Sequence, residues 1–87
     1  MSHRAYVLIE AQKGQDDTVA AELMGKQGIL SADRVFGRHD VVALIEAEDL
    51  EGLVRIIRNE IAPAEHVIRT ETLVVTSPIN HLWKIDK

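Results

Sequence analysis

The chain has 87 residues, near the lower end of what one hydrophobic core stabilises unaided, so it holds one small domain to which a partner chain can add stability. With 46% hydrophobic and 28% charged residues, and no apolar run near the ~20 that a bilayer span requires, the composition is that of a soluble globular protein. A net charge of −4 without clustered Lys and Arg argues against direct nucleic-acid contact; the absence of cysteine excludes thiol chemistry and disulfides and, with no signal segment at MSHRAYVLIE, fits the cytoplasm.

The segment AYVLIEA, Ala5 to Ala11, is short, apolar and followed by KGQDD, the pattern of a strand ending in a turn. From Asp16 the pattern becomes helical. Asp16 and Asp17 favour a helix start through the macrodipole, Val19, Leu23 and Met24 share a face, and Gly28 supplies a stop. ILSADRVF, Ile29 to Phe36, is β-compatible at its ends, and its second half is the expected second strand. VVALIEA, Val41 to Ala47, is the third. Asp49 then opens DLEGLVRIIRNEIA, where Leu50, Leu53, Val54, Ile57 and Ile61 recur at helical spacing until Pro63 forbids continuation. HVIRTETLVVT, His66 to Thr76, is rich in β-branched residues and forms the fourth strand before Pro78.

This order predicts an α+β, ferredoxin-like βαββαβ sandwich with a four-stranded antiparallel sheet, of the dimeric α+β barrel type. Helices cover one face of such a sheet, and strands alternate apolar and polar where the other face meets water. Here Tyr6 through Ile9 and Val41 through Ile45 offer apolar groups to both faces, so a second copy is expected on the open face. One domain is assigned to residues 1–78. Residues 79–87 are assigned as a tail that packs on a neighbouring subunit through Ile79, Leu82, Trp83 and Ile85, with Trp83 as an anchor.

The chain offers little for catalysis or metal binding. Histidines at 3, 39, 66 and 81 show none of the spacings that place two imidazoles together, and no metal or cofactor is expected. Ser31 and Ser77 lack a GxSxG context, and GRHD lacks a phosphate-binding pattern. His39 with Asp40 forms no acid–base pair by adjacency alone, so no catalytic residue is assigned.

A free amino acid needs a carboxylate for its ammonium and oriented N–H donors for its carboxylate. The turn begun by Gly37 exposes backbone N–H groups where no Cβ blocks approach, and Asp40 offers the carboxylate. The segment RVFGRHDVVALIEAEDLEGLVRIIRNEIAPAEHVIRTETLVV, Arg34 to Val75, resembles the effector-binding and assembly (RAM) domain of the Lrp/AsnC, or feast/famine, transcription regulators. The resemblance rests on the turn Val35-x-Gly37-x-x-Asp40, the apolar strand after it, DLEGLVRII on the second helix and IRTETLVV on the last strand. It extends loosely to the first strand and helix. Only MSHR precedes the first strand, so the chain resembles members without the DNA-binding helix-turn-helix.

The resemblance implies a homodimer assembled into a ring of dimers, with a free amino acid or related small metabolite bound between dimers and with full-length Lrp/AsnC regulators as further partners. Carried over by position, the site is Gly37, Arg38, His39 and Asp40, joined by Thr70, Thr72, Thr76 and Ser77 from a neighbouring dimer. The chain departs from the family at Pro63-Ala64-Glu65-His66, where Pro-Gly is usual, and at His39, where an aromatic residue is common. Without the resemblance, Thr70, Thr72 and Thr76 read as ordinary β-branched residues sharing a strand face with Ile68 and Val74. Two alternatives stand beside the sensor: a cofactor-free monooxygenase-like enzyme, for which Tyr6 is the only well-placed residue and which needs a cavity under the helices, and an assembly domain without ligand.

Overall fold

The computed structural model describes residues 2–76. Strand β1, His3–Ala11, leads to helix α1, Asp16–Met24; β2, Ile29–Arg34, turns into β3, Val41–Ala47; α2, Leu50–Ile56, continues into a wider turn, Ile57–Ile61, and β4, Val67–Val74, follows. The four strands form one antiparallel sheet in the order β2-β3-β1-β4. This is the expected ferredoxin-like arrangement. Its barrel type is corrected: the sheet is open, with β2 and β4 as separate edges. Four strands with helices on one face have no means of curling round to join their edges, since small closed barrels take about eight. Residues 79–87 and Ser77 lie outside the described residues.

Val19 and Leu23, four apart on α1, are buried, whereas Met24 points outward and the expected three-residue face narrows to two. The helix also ends earlier than Gly28, because the N–H groups of Gly25 and Lys26 turn back to the carbonyls of Glu22 and Leu23. Gly28 has a different role. Its φ is +87°, a Cβ there would lie 2.5 Å from Ile56 Cδ1, and its carbonyl accepts the Glu46 N–H at 3.0 Å. The turn is thereby pressed between α2 and the end of β3. β2 consequently starts at Ile29, buried opposite Ile45, with a bulge before Ser31, and the expected second-half strand gives way: Val35 and Phe36 leave the ladder.

Asp49 caps α2, its Oδ1 accepting the Gly52 N–H at 2.7 Å. Leu53 and Ile61 are buried and Ile56 and Ile57 pack against the core, but Leu50 and Val54 are exposed. The reason is the turn at Ile57–Ile61, where the Ala62 N–H donates to the Ile57 carbonyl five residues back at 2.8 Å. This wider turn rotates less per residue and returns Ile61 over the sheet. The connection to β4 ends at His66 with φ +76°, the conformation that glycine adopts freely. His66 is held there by the Gln12 N–H on its carbonyl and by Gln12 Oε1 beside its Nδ1, both at 2.8 Å.

The core lies between helices and sheet. Ala5, Val7, Ile9 and Ala11 of β1 and Val41, Ala43 and Ile45 of β3 face Val19, Leu23, Leu53 and Ile61, and no polar or charged side chain is buried among the described residues. No helix of the described residues is long and apolar enough to cross a membrane.

Candidate functional site

The turn between β2 and β3 is closed by the Val35 N–H donating to the Asp40 carbonyl at 2.9 Å. Asp40 then ties the turn to β1. Its N–H donates to the Ile9 carbonyl at 2.9 Å, and its carboxylate Oδ2 accepts the Ala11 N–H at 2.8 Å. The register of β1 with β4 shifts between Glu10 and Ala11, and at that bulge the Ala11 N–H needs an acceptor, which Asp40 supplies. The carboxylate that the sequence offers to a ligand thus also has a structural task. Its Oδ1 takes no hydrogen bond among the described residues.

Gly37 stands at φ +131° with nothing within 4 Å of where a Cβ would be, so its backbone is approachable and its conformation excludes most side chains. Arg38 is exposed. His39 folds inward, its side chain 20% exposed, with Nε2 3.6 Å from Glu71 Oε1 on β4. Gly37, Arg38, His39 and Asp40 therefore form one contiguous structure at one end of the sheet, spanning from β3 across β1 to β4.

The threonines do not join them within one chain. Thr70 and Thr72 pair with Ile9 and Val7, which places them on the helix-side face of β4, while Glu71, beside His39, faces the other way. Helices leave that part of β4 uncovered, for Ile68 and Val74 are exposed. Thr76 follows Val75, whose N–H donates to the Arg4 carbonyl near the opposite end of β1. At ~3.4 Å per residue, Arg4 and Ile9 are ~17 Å apart along the strand.

The second feature of the site is the open sheet face. Leu44, Tyr6 and Leu73 form one row across β3, β1 and β4, and Val42 and Leu8 continue it toward Glu71. All are only half-buried or exposed. Around this apolar centre run two cross-strand charge pairs, Arg4 Nε to Glu46 Oε2 at 3.0 Å and Arg69 Nε to Glu10 Oε1 at 3.2 Å, and the contact of the His39 imidazole in the turn with the Glu71 carboxylate. The Arg4 guanidinium, followed by the Ser2 hydroxyl at 3.0 Å, holds the Glu46 carboxyl below the usual glutamate range. An apolar centre with a charged rim is the anatomy of a protein interface. Sequence reasoning located the apolar residues but not these pairings: the partners of Arg69 and Glu71 lie on β1 and in the turn, visible only once the register is known.

A surface groove of about 580 Å³ lies at the other end of the sheet, between α2 and the Gln27–Gly28 turn. No His, Tyr or Trp lines it, and Leu23, Leu53 and Ile61 fill the space beneath the helices. The substrate cavity required by a monooxygenase-like enzyme is not found among the described residues.

Comparison with known proteins agrees with the fold and narrows its meaning. The family model for the Lrp/AsnC ligand binding domain matches residues 4–81. Among solved structures, TTHA0845 from Thermus thermophilus is 27% identical with a TM-score of 0.85, over 90% of this chain and 98% of that one. The hypothetical protein PHS023 from Pyrococcus horikoshii is 22% identical with a TM-score of 0.80, covering 90% and 93% of the two chains. The transcriptional regulator NMB0573 from Neisseria meningitidis, in complex with L-Met, is 17% identical with a TM-score of 0.79; the match covers 91% of this chain and 53% of the regulator. No curated protein is significantly similar in sequence.

Proposed function

Because the chain belongs to the Lrp/AsnC ligand-binding domain family, we propose that it binds free amino acids or related small metabolites at the Gly37–Asp40 turn and responds through homo-oligomeric assembly. It is a ligand-binding module of that family and not an enzyme. The observation that carries the reading is the turn itself: an approachable glycine backbone beside a carboxylate fastened to β1. Such a turn offers N–H groups to a ligand carboxylate and Asp40 Oδ1 to an ammonium without rearrangement. That a regulator of the same fold is found with L-Met supports the ligand class.

Two copies pair through the open sheet faces, with Tyr6, Leu8, Val42, Leu44 and Leu73 at the centre of the contact. A standard interface of this kind removes ~800 Å² from each partner. Dimers join further into a ring, and a neighbouring dimer contributes Thr70, Thr72, Thr76 and Ser77; the distance of Thr76 from the turn within one chain supports a shared site. The tail 79–87 packs on a neighbouring subunit through Trp83. Any effect on transcription passes through co-assembly with DNA-binding relatives. Ligand shifts assembly only by binding the assembled form more tightly.

Titration calorimetry with the proteinogenic amino acids tests the reading. Saturable heat from at least one of them, lost in Asp40→Asn, supports it; no heat from any at protein concentrations well above micromolar contradicts it.

A further inference from the structure

Phe36 stands fully exposed at the tip of the β2–β3 turn. A buried aromatic removes ~150–250 Å² from water, so a ring held clear of its own fold is a contact surface in waiting. Nothing lies within 4 Å of the position of a Gly37 Cβ, which leaves the tip projecting. Directly beside the ring is a notch of about 220 Å³ lined by Asp16, Arg34, Val35 and Phe36 itself. Its apolar wall is Val35 and Phe36, and its volume admits a phenyl ring.

The charges around the tip are complementary to one another. Arg34 Nη1 is held by Asp17 Oδ1 at 2.8 Å, and His39 lies against Glu71. Asp16 and Arg38 have no ion-pair partner among the described residues. Each tip therefore carries a knob, a notch with room for the knob, and a cation, Arg38, and an anion, Asp16, that are both without an ion-pair partner among the described residues.

We propose that the tip of one copy docks on the tip of a second, each Phe36 filling the other's notch and each Arg38 meeting the other's Asp16. The arrangement is isologous, so one two-fold axis satisfies all four matches at once. The tip lies at the end of the sheet and is separate from the open sheet face, so a copy already paired through that face keeps its tip available. This inference rests on the assembly reading above and gives it a second contact. One aromatic per side is far smaller than the ~1,000 Å² of a stable interface. The tip contact is weak alone and gains strength when a dimer presents two tips together.

Sedimentation velocity of the full chain over a concentration series tests it, with Phe36→Ser, Asp16→Arg and the double variant Asp16→Arg/Arg38→Asp. Because Phe36 touches little of its own fold, Phe36→Ser keeps the wild-type circular dichroism and unfolding midpoint of the dimer. The wild type is expected to associate beyond a dimer. Phe36→Ser and Asp16→Arg each weaken that step by about tenfold or more, the scale of a lost aromatic or charged anchor, and the double variant recovers it. Unchanged association in Phe36→Ser, or a double variant no better than Asp16→Arg, overturns the tip contact while leaving assembly itself intact. A wild type that stops at the dimer at every concentration overturns both the tip contact and the ring.

Discussion

Replacing Asp40 separates its structural task from its chemical one. In Asp40→Ala the Ala11 N–H at the β1 bulge loses its 2.8 Å acceptor, and the turn loses its side-chain tie to β1. A hydrogen bond to a charged group contributes ~1.5–3 kcal/mol, and because Asp40 is half-buried, water recovers part of the loss, which leaves ~1.5–2 kcal/mol. For a domain of this size ~1 kcal/mol moves the melting temperature by ~4–8 °C, so a drop of ~6–16 °C is expected. Asp40→Asn keeps a neutral amide oxygen at the same place and should cost only ~1 kcal/mol or less. Urea unfolding at one fixed protein concentration gives both values, since assembly makes stability concentration-dependent. An Asp40→Ala variant within ~0.5 kcal/mol of wild type would refute the assignment of Asp40 as the acceptor that organises the bulge.

Three further substitutions probe the Gly28 turn, the open sheet face and the Arg4–Glu46 pair. Gly28→Ala adds a Cβ 2.5 Å from Ile56 Cδ1 in a left-handed backbone, and overpacking with backbone strain predicts a loss of ~2–4 kcal/mol in the same unfolding assay. Leu44→Asp places a charge at the centre of the open face, opposite Tyr6, and should convert the dimer to monomer in sedimentation, with secondary structure retained by circular dichroism. Glu46 has its carboxyl lowered by Arg4 and then Ser2, so its folded value lies below its unfolded one. Such a group adds stability above the unfolded value and loses it as pH falls past that value toward the folded one. The stability gap between wild type and Glu46→Gln should therefore be open at neutral pH and close under acid conditions, and a gap that widens with acid would contradict the pairing.

The order of strands and helices was legible because β-branched apolar runs and helical spacing carry it locally. What was not legible depended on contacts between distant segments. Ile29 begins β2 because Ile45 receives it, and nothing within ILSADRVF distinguishes that outcome from a strand starting later. Leu50 and Val54 fit the helical period as well as Ile61 does, yet the wide turn at Ile57–Ile61 excludes them from the core. In the candidate site, the glycine was legible from its position before Asp40, and its φ of +131° accords with that reading. The bond from Ala11 to Asp40 was not, since it follows from a bulge in a strand far away in sequence. The segment Pro63-Ala64-Glu65-His66 was visible as a departure from the Pro-Gly of the resembling family, but that His66 within it takes a positive φ was not. The barrel expectation failed because dimer-level resemblance was carried into the fold of one chain, whose four strands leave two free edges.

Whether ligand at the Gly37–Asp40 turn drives assembly is decided by sedimentation of wild type and Asp40→Asn, each with and without the amino acid that gives the largest calorimetric heat. The ligand should shift the wild type to larger species and leave Asp40→Asn, which keeps its dimer, unmoved. An identical ligand response in both proteins would contradict a site at the Gly37–Asp40 turn.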